Sequence, residues 1–474
     1  MRRFFSPLML GVALVAAGCA TEGSAATGAP IVDVEVLSQD VAPSTTTITT
    51  TTTVAPTTTT VPPPTTTTTT TIPINPACSA NGFGSDEIHP DAQGLATRIN
   101  AAIEHPGFAG HDVSISVWVD GWGEVATHNP DLLLNPASNQ KVITAIGANE
   151  LLDLDARLTT EIELLGNDLV IRAGADPTLT FSRLMGAIDT ALPRLGTSID
   201  RVIIDVTEFP QIPEADGWLD WHMPQFVGPL SALMLENNRW TQDPTLLRDP
   251  DQINGQRIAS FLRDRGVNVA SVAVARLVSP AAGEQIATVQ SEPIGSLVRS
   301  MLLSSDNQHA DLLLMEAGRV ALGEGSLAAG AAAVDAVLFD SCGSLDGTTS
   351  DGSGLSRANF RTARSFVQSM AALHGTPEGE LLRSQLPVGG VSGTLAGRFG
   401  GANAGLVQAK TGTILTGRSL GGWARMANGR DAIFSVIVNG ADGATSGSVA
   451  AIDALVREII VNPAGTPDSL AAAE

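Results

Sequence analysis

Lysine is almost missing from this chain. Of its 27 lysine and arginine residues, only Lys141 and Lys410 are lysines. Arginine solvates a surface as well as lysine does, so two surviving lysines point to places where arginine cannot serve. The difference is chemical. Burial and neighbouring charge push an ammonium towards its neutral form, whereas a guanidinium stays charged at any working pH. A side chain that must accept a proton is therefore the expected reason for keeping lysine.

Positive charge as a whole is scarce. The formal net charge is −22 and the pI is about 4.6, which excludes a nucleic-acid partner because phosphate binding needs a basic face. The seven histidines show no H-E-x-x-H or comparable ligand spacing, so neither a metal nor any other cofactor is expected. No G-x-S-x-G elbow is present for a Ser-His-Asp triad. Cysteine is limited to Cys19, Cys78 and Cys342, an odd number.

What is present begins with an export signal, residues 1–19: Arg2 and Arg3 precede an apolar run, Phe4 to Ala17, too short to span a membrane comfortably. Ala16-Ala17-Gly18-Cys19 resembles a lipobox, which makes Cys19 a candidate for lipidation, with simple cleavage as the alternative. A lipid there is the only membrane contact expected, and the protein is placed outside the cytoplasm, in the cell envelope or secreted. Once Cys19 is lipidated or removed, Cys78 and Cys342 remain as a candidate disulfide, with two free thiols as the alternative. Residues 20–77 are expected to form a disordered tether, since PTTTTVPPPTTTTTTT cannot bury a core. Fully extended at ~3.1 Å per residue, the Thr/Pro tract would reach on the order of 100 Å.

Asp91 to Ile103 reads as an amphipathic helix, and HDVSISVWVDG as a half-buried strand. SLGGWARMANGRDAIFSVIVNG reads as two strands around Asn428-Gly429, with glycines 421 and 422 allowing close backbone packing, and Ser448 to Val461 as a closing helix. Helices at both ends with strands between them predict an α+β fold, an antiparallel sheet flanked by helices. Residues 161–289 change texture, with EIELLGNDLVIRAG, IDRVIIDV and VNVASVAVARLV separated by turns. We expect a strand-rich domain inserted into a main domain formed by residues 78–160 and 290–474.

Ser138 and Lys141 are three apart, one turn and one face of a helix that Pro136 helps to start. A serine hydroxyl needs a base to become a nucleophile, and a desolvated lysine amine one turn away can be that base. The helix N-terminus would favour negative charge developing beside Ser138. Lys410 lies in KTGT, Lys410 to Thr413, where an ammonium, hydroxyls and a glycine permitting close approach of a ligand coincide. Between the lysines, SSDN (Ser304 to Asn307) sits in a helix-like stretch. S-x-x-K, S-x-N and K-T-G in this order form the signature of penicillin-binding proteins and β-lactamases. Asp351-Gly352-Ser353-Gly354 reads either as a tight turn or as a border of that site.

Together with LVIRAGADPTL, GPLSALMLENN, DGSGLSR and LPVGGVSGTL, the trio resembles the D-alanyl-D-alanine carboxypeptidase/endopeptidase family of class C low-molecular-mass penicillin-binding proteins, over about residues 90–460. The resemblance implies a β-lactamase/transpeptidase-like fold, with the inserted domain filling the long gap between Ser138 and Ser305. It implies that Ser138 attacks the carbonyl between two D-alanines and that Lys141 takes its proton. Ser305 would relay a proton to the leaving amine, and Asn307 would hold the substrate amide. Lys410, Thr411, Gly412 and Thr413 would bind the terminal carboxylate, with Lys410 lowering the Lys141 pKa. Backbone N–H groups of Ser138 and Thr413 would form the oxyanion hole. The implied partners are peptidoglycan peptides, with β-lactam antibiotics as covalent inhibitors. Two other readings stand beside it: a β-lactamase, for which no E-x-x-x-N element is evident between the first two motifs, and a non-catalytic wall-binding scaffold.

Overall fold

The computed structural model describes residues 34–36, 83–84, 87–210, 214–240, 243, 247–277, 283–441 and 443–461. The export signal, Cys19, the Thr/Pro tract and Cys78 lie outside them. Cys342 is disulfide-bonded.

A five-stranded antiparallel sheet runs in the order Val407–Ile414, Gly417–Arg425, Asp431–Asn439, Asp112–Val119, Gly123–His128. The middle pair is the hairpin read from Asn428-Gly429, closed by the five residues 426–430 with Gly429 at φ +82°. Asp112–Val119 departs from expectation. Its alternation is real, but every residue after Asp112 is buried. Val113, Ile115, Val117 and Val119 pack under the outer helices Gln93–Ile103 and Ser448–Ile460. Ser114 and Ser116 face the inner layer, where Ser114 accepts the N–H of Ala363 at the start of helix Ala363–Ala372. Helices on both faces turn a two-sided pattern into a fully buried strand. Gly421 and Gly422 admit close packing as read: a Cβ would sit 2.8 Å from a Phe366 ring carbon and 2.2 Å from the Gln408 carbonyl respectively.

A second, six-stranded sheet runs Val34–Val36, Asn268–Leu277, Ser198–Asp205, Asp168–Arg172, Arg157–Leu165, Glu284–Pro293. Its three central pairings include two parallel ones, 168–172 with 198–205 and 198–205 with 268–277. Parallel neighbours need crossovers, and helices Phe181–Leu195 and Pro250–Asp264 supply them, each opened by a capping side chain, Thr180 and Asp249. Arg157–Leu165 and Glu284–Pro293 straddle the expected boundaries at 160 and 290 and pair with each other. Val34–Val36 falls within the expected tether, yet it adds a strand to the edge of this sheet.

Asp251, in the first turn of Pro250–Asp264, is wholly buried and accepts the Leu233 N–H at 3.0 Å. With Asn238 and Asn254 it fixes a segment in which residues 236–238 all have positive φ. Burial raises the Asp251 carboxyl to about 7. An unfolded aspartate titrates near ~3.9, so the folded state holds more protons between these values and Asp251 costs stability as pH rises from about 4 to about 7. The stability of Asp251→Asn relative to wild type should therefore improve by roughly 3–4 kcal/mol across that window. Urea midpoints at either end of it check this, and a pH-independent difference would remove Asp251 as the titrating group.

Candidate active site

The turn before Ser138 is tied to distant parts of the chain. Asn135 N–H donates to Asn439 Oδ1 at 2.8 Å, Asn439 Nδ2 donates to the Asn135 carbonyl at 3.0 Å, and Asn135 Nδ2 donates to the Ser356 carbonyl at 2.8 Å. Ser419 Oγ donates to the Pro136 carbonyl at 2.6 Å. Ala137 sits at φ +49°, in the left-handed region, with its N–H held by Asn135 Oδ1 at 2.8 Å. Ser138 follows in a 3-10 turn, Ala137–Asn139, that runs into helix Gln140–Leu151. Lys141 thus lies one turn on, on the same face, as its spacing predicts.

Lys141 is fully buried. Its Nζ lies 3.1 Å from Ser138 Oγ, 2.8 Å from Asn307 Oδ1 and 2.5 Å from the Ser353 carbonyl. Two of these three neighbours are carbonyl oxygens that can only accept; the hydroxyl alone can donate. All three oxygens can accept the N–H groups of an ammonium; in the neutral amine the two carbonyls take the remaining N–H donors and the Ser138 hydroxyl is the one neighbour able to donate to the lone pair. Burial lowers the Lys141 pKa to about 8, while the charges of Asp311, Asp351 and Asp306 work in the opposite direction. Desolvation is the leading cause of that depression, and the repulsion between the Lys141 and Lys410 ammonium groups, which is mutual, acts in the same direction. Burial, with the Lys141 charge behind it, holds Lys410 well below the ordinary lysine value.

SSDN lies at a break between helices and not inside one. Helix Ile294–Ser304 ends at Ser305, which is left-handed with φ +62° and ψ +37°, and Asp306 caps the next helix, Asn307–Leu322, by accepting the His309 N–H at 2.9 Å. The break turns Ser305 towards Lys410, whose Nζ donates to Ser305 Oγ at 2.9 Å and to the Thr411 carbonyl at 2.8 Å. Asn307 starts the second helix and reaches Lys141, while its Nδ2 donates to the Phe226 carbonyl at 3.1 Å.

KTGT occupies Val407–Ile414, the strand at the edge of the five-stranded sheet. The Ala409 N–H points away from the sheet, to the Pro387 carbonyl at 3.0 Å. Strand alternation then turns the N–H groups of Thr411 and Thr413 outward as well. The Thr411 hydroxyl bonds Thr394 Oγ1 at 2.8 Å, and Thr394 belongs to the LPVGGVSGTL stretch. Gly412 has a different reason from the one read in the sequence. A Cβ there would lie 2.0 Å from Ser419 Oγ and 2.9 Å from the Pro136 carbonyl, so the glycine admits the protein's own turn before Ser138 and not a ligand. Asp351-Gly352-Ser353-Gly354 borders the site: Ser353 supplies an acceptor to Lys141, and Asp351 holds the turn by accepting from Gly354 N–H, Ser356 N–H, Asn359 Nδ2 and Trp218 Nε1, all within 2.8 Å.

Ser138, Asn307 and Thr413 open on a cavity of about 330 Å³ whose far wall is Trp221, His222 and Phe226. Trp221 and Phe226 are more than two-fifths exposed. Burial, then Arg357, pushes the His222 imidazole below its ordinary pKa. These wall residues, with Arg357 and Arg418, were not read from the sequence. Only Arg357 had a signal, its place in DGSGLSR.

The sequence matches the model of the D-Ala-D-Ala carboxypeptidase 3 (S13) family over residues 95–246 and 245–458. It is 30% identical over 402 residues to carboxypeptidase DacB of Mycolicibacterium smegmatis, covering 78% of this chain and 85% of that protein. A carboxypeptidase of Mycobacterium tuberculosis is 31% identical over 342 residues, covering 65% and 72%. The fold is similar to the crystal structure of penicillin binding protein 4 from Haemophilus influenzae, with a TM-score of 0.66 at 19% identity, covering 76% of this chain and 98% of that one.

Proposed function

The chain belongs to the D-Ala-D-Ala carboxypeptidase 3 (S13) family, and from that membership we propose a division of labour among its cleft residues. The protein is a serine-type D-Ala-D-Ala carboxypeptidase. The observation that carries the residue roles is the Lys141 cage: two fixed acceptors and one hydroxyl around a buried amine.

Lys141 takes the proton of Ser138 Oγ as that oxygen attacks the carbonyl carbon of the terminal D-Ala–D-Ala amide. The negative oxygen of the tetrahedral intermediate is held by the backbone N–H groups of Ser138 and Thr413, the latter on the outward face of the edge strand. The proton passes through Ser305 to the leaving nitrogen, the C–N bond breaks, and D-alanine departs. Water attacks the resulting ester, giving its proton to Lys141, and Ser138 is released with its hydroxyl restored. Thr411 and Thr413 would meet the substrate carboxylate, with Lys410 supplying positive charge from behind them. Asn307 orients Lys141 and, on giving up Phe226, can hold the substrate amide. The natural substrates are peptidoglycan stem peptides in the cell envelope; where the same bond lies in a cross-link, the reaction is that of an endopeptidase.

Penicillin is expected to label the protein at one molecule per chain and to turn over slowly, with no labelling of Ser138→Ala. Incubation with pentapeptide should release D-alanine, and with cross-linked dimers, monomers. Folded protein that takes no covalent label would leave the wall-binding scaffold; rapid penicillin turnover would leave the β-lactamase.

A further inference from the structure

The nucleophile and its base leave one buried charged group at the site without a task. Asp311 lies on helix Asn307–Leu322, four residues after Asn307 and on the same face. It is fully buried. One carboxylate oxygen accepts the Ser353 N–H at 2.9 Å; the other, also buried, has no hydrogen-bond partner. Asp351 beside it is different, since its four donors account for its burial. A half-satisfied buried carboxyl is costly, and holding one N–H is a task an amide would do as well.

The backbone of Ser353 joins Asp311 to Lys141: its N–H is held by Asp311 and its carbonyl accepts the Lys141 Nζ. Nucleophile, base and buried carboxyl form one chain, Ser138–Lys141–Ser353–Asp311, as a third group orients the base in other activated-serine systems. We infer that Asp311 is a positioning residue for the reaction, fixing Lys141 through Ser353 and stabilising the ammonium that forms when Lys141 takes the Ser138 proton. This rests on Lys141 being the base.

The charged groups facing Lys141 are Asp311 and Asp306 from this helix, Asp351 from the neighbouring turn and Lys410 from the edge strand. Among the acids, Asp311 acts on Lys141 most strongly. Burial and the Asp351 charge in turn raise the Asp311 carboxyl, while the Lys141 charge opposes them. Protonation of Lys141 therefore favours ionised Asp311, and the two respond to each other through the catalytic cycle.

The test is the pH dependence of penicillin acylation in Asp311→Asn. Asparagine keeps an acceptor for Ser353 and removes the charge that raises the Lys141 pKa. The limb in which rate climbs with pH should move about one unit lower, and the plateau should fall about threefold, and by at most about tenfold, because the base is weaker. A structural role would lower the labelled amplitude and leave the limb in place, and an unmoved limb overturns the inference. Asp311→Glu keeps the charge and should keep the wild-type limb, so it carries the test if the asparagine variant does not fold. Loss of labelling in both variants assigns Asp311 to folding and also overturns it. Wild-type labelling, with its loss in Ser138→Ala, checks the nucleophile separately, so failure of one reading does not hide failure of the other.

Discussion

Lys141→Arg will acylate with penicillin about 10³-fold or more slowly than wild type, at every pH at which the protein is folded. Arginine is the residue this chain uses almost everywhere else for positive charge, so the substitution is neutral by composition and disabling by chemistry. A guanidinium has five donors, no lone pair to offer and a pKa above 12. At Lys141 it would meet Asn307 Oδ1 and the Ser353 carbonyl as a donor but could not take the Ser138 proton. Wild type has a pH signature that the variant lacks. With Lys141 at about 8, the neutral, proton-accepting form grows as pH rises through that value, so the acylation rate should climb to a plateau above it. About a tenth of the amine is neutral at pH 7. The arginine variant has no group to generate that limb. Labelling at completion separates chemistry from folding, because a misfolded fraction lowers amplitude and a lost base lowers rate. Acylation of Lys141→Arg at the wild-type rate would show that something other than Lys141 receives the proton.

The scarcity of lysine made this residue legible because the constraint on it is local and chemical. The base we propose, one turn from the nucleophile we propose, leaves a spacing of three, and no other cation could take that role. The terminal helices and the hairpin were legible for a similar reason: their periodicity and turn residues act within a few positions. What the sequence hid is held by partners far away. Asn135 is fixed by Asn439, and both look like ordinary loop asparagines. Asp311 is one acid among 49, and nothing in its neighbours distinguishes a buried carboxyl from a solvated one. Ser305 looked helical because LVRSMLLSSDNQHADLLL is apolar on both sides of it; the left-handed residue that ends one helix and the cap that starts the next appear only in the backbone. The parallel pairings of the second sheet depend on crossovers that bring residue 172 beside residue 205. Short alternating segments predict strands, but not the direction of their neighbours.

Gly354→Ala will cost on the order of 3 kcal/mol of stability and slow acylation by ~10²-fold, although alanine is the smallest side chain that can be added. Gly354 has φ +79°, and a Cβ built on it would stand 1.9 Å from the Ala137 carbonyl oxygen, 2.5 Å from the carbon of that carbonyl and 3.1 Å from Gln140 Cβ. Two of these atoms are backbone and cannot rotate aside. On one side Ala137 is already strained and tied through Asn135 and Ser419. On the other, the 351–354 turn is tied to Asp351 and, through Ser353, to both Lys141 and Asp311. Relief by moving the first shifts Ser138, and relief by moving the second takes an acceptor from Lys141; each path separates groups whose alignment sets the rate. Gly405→Ala isolates the backbone term, because Gly405 has nearly the same φ, +82°, with nothing within 4 Å of the added carbon. It should lose only about 1 kcal/mol and label at the wild-type rate. Urea unfolding and penicillin acylation of the two variants side by side provide the measurement. Equal behaviour in both assays would mean that the nucleophile turn gives way to the DGSG loop at little cost, and that the close packing of these two segments does not position Ser138.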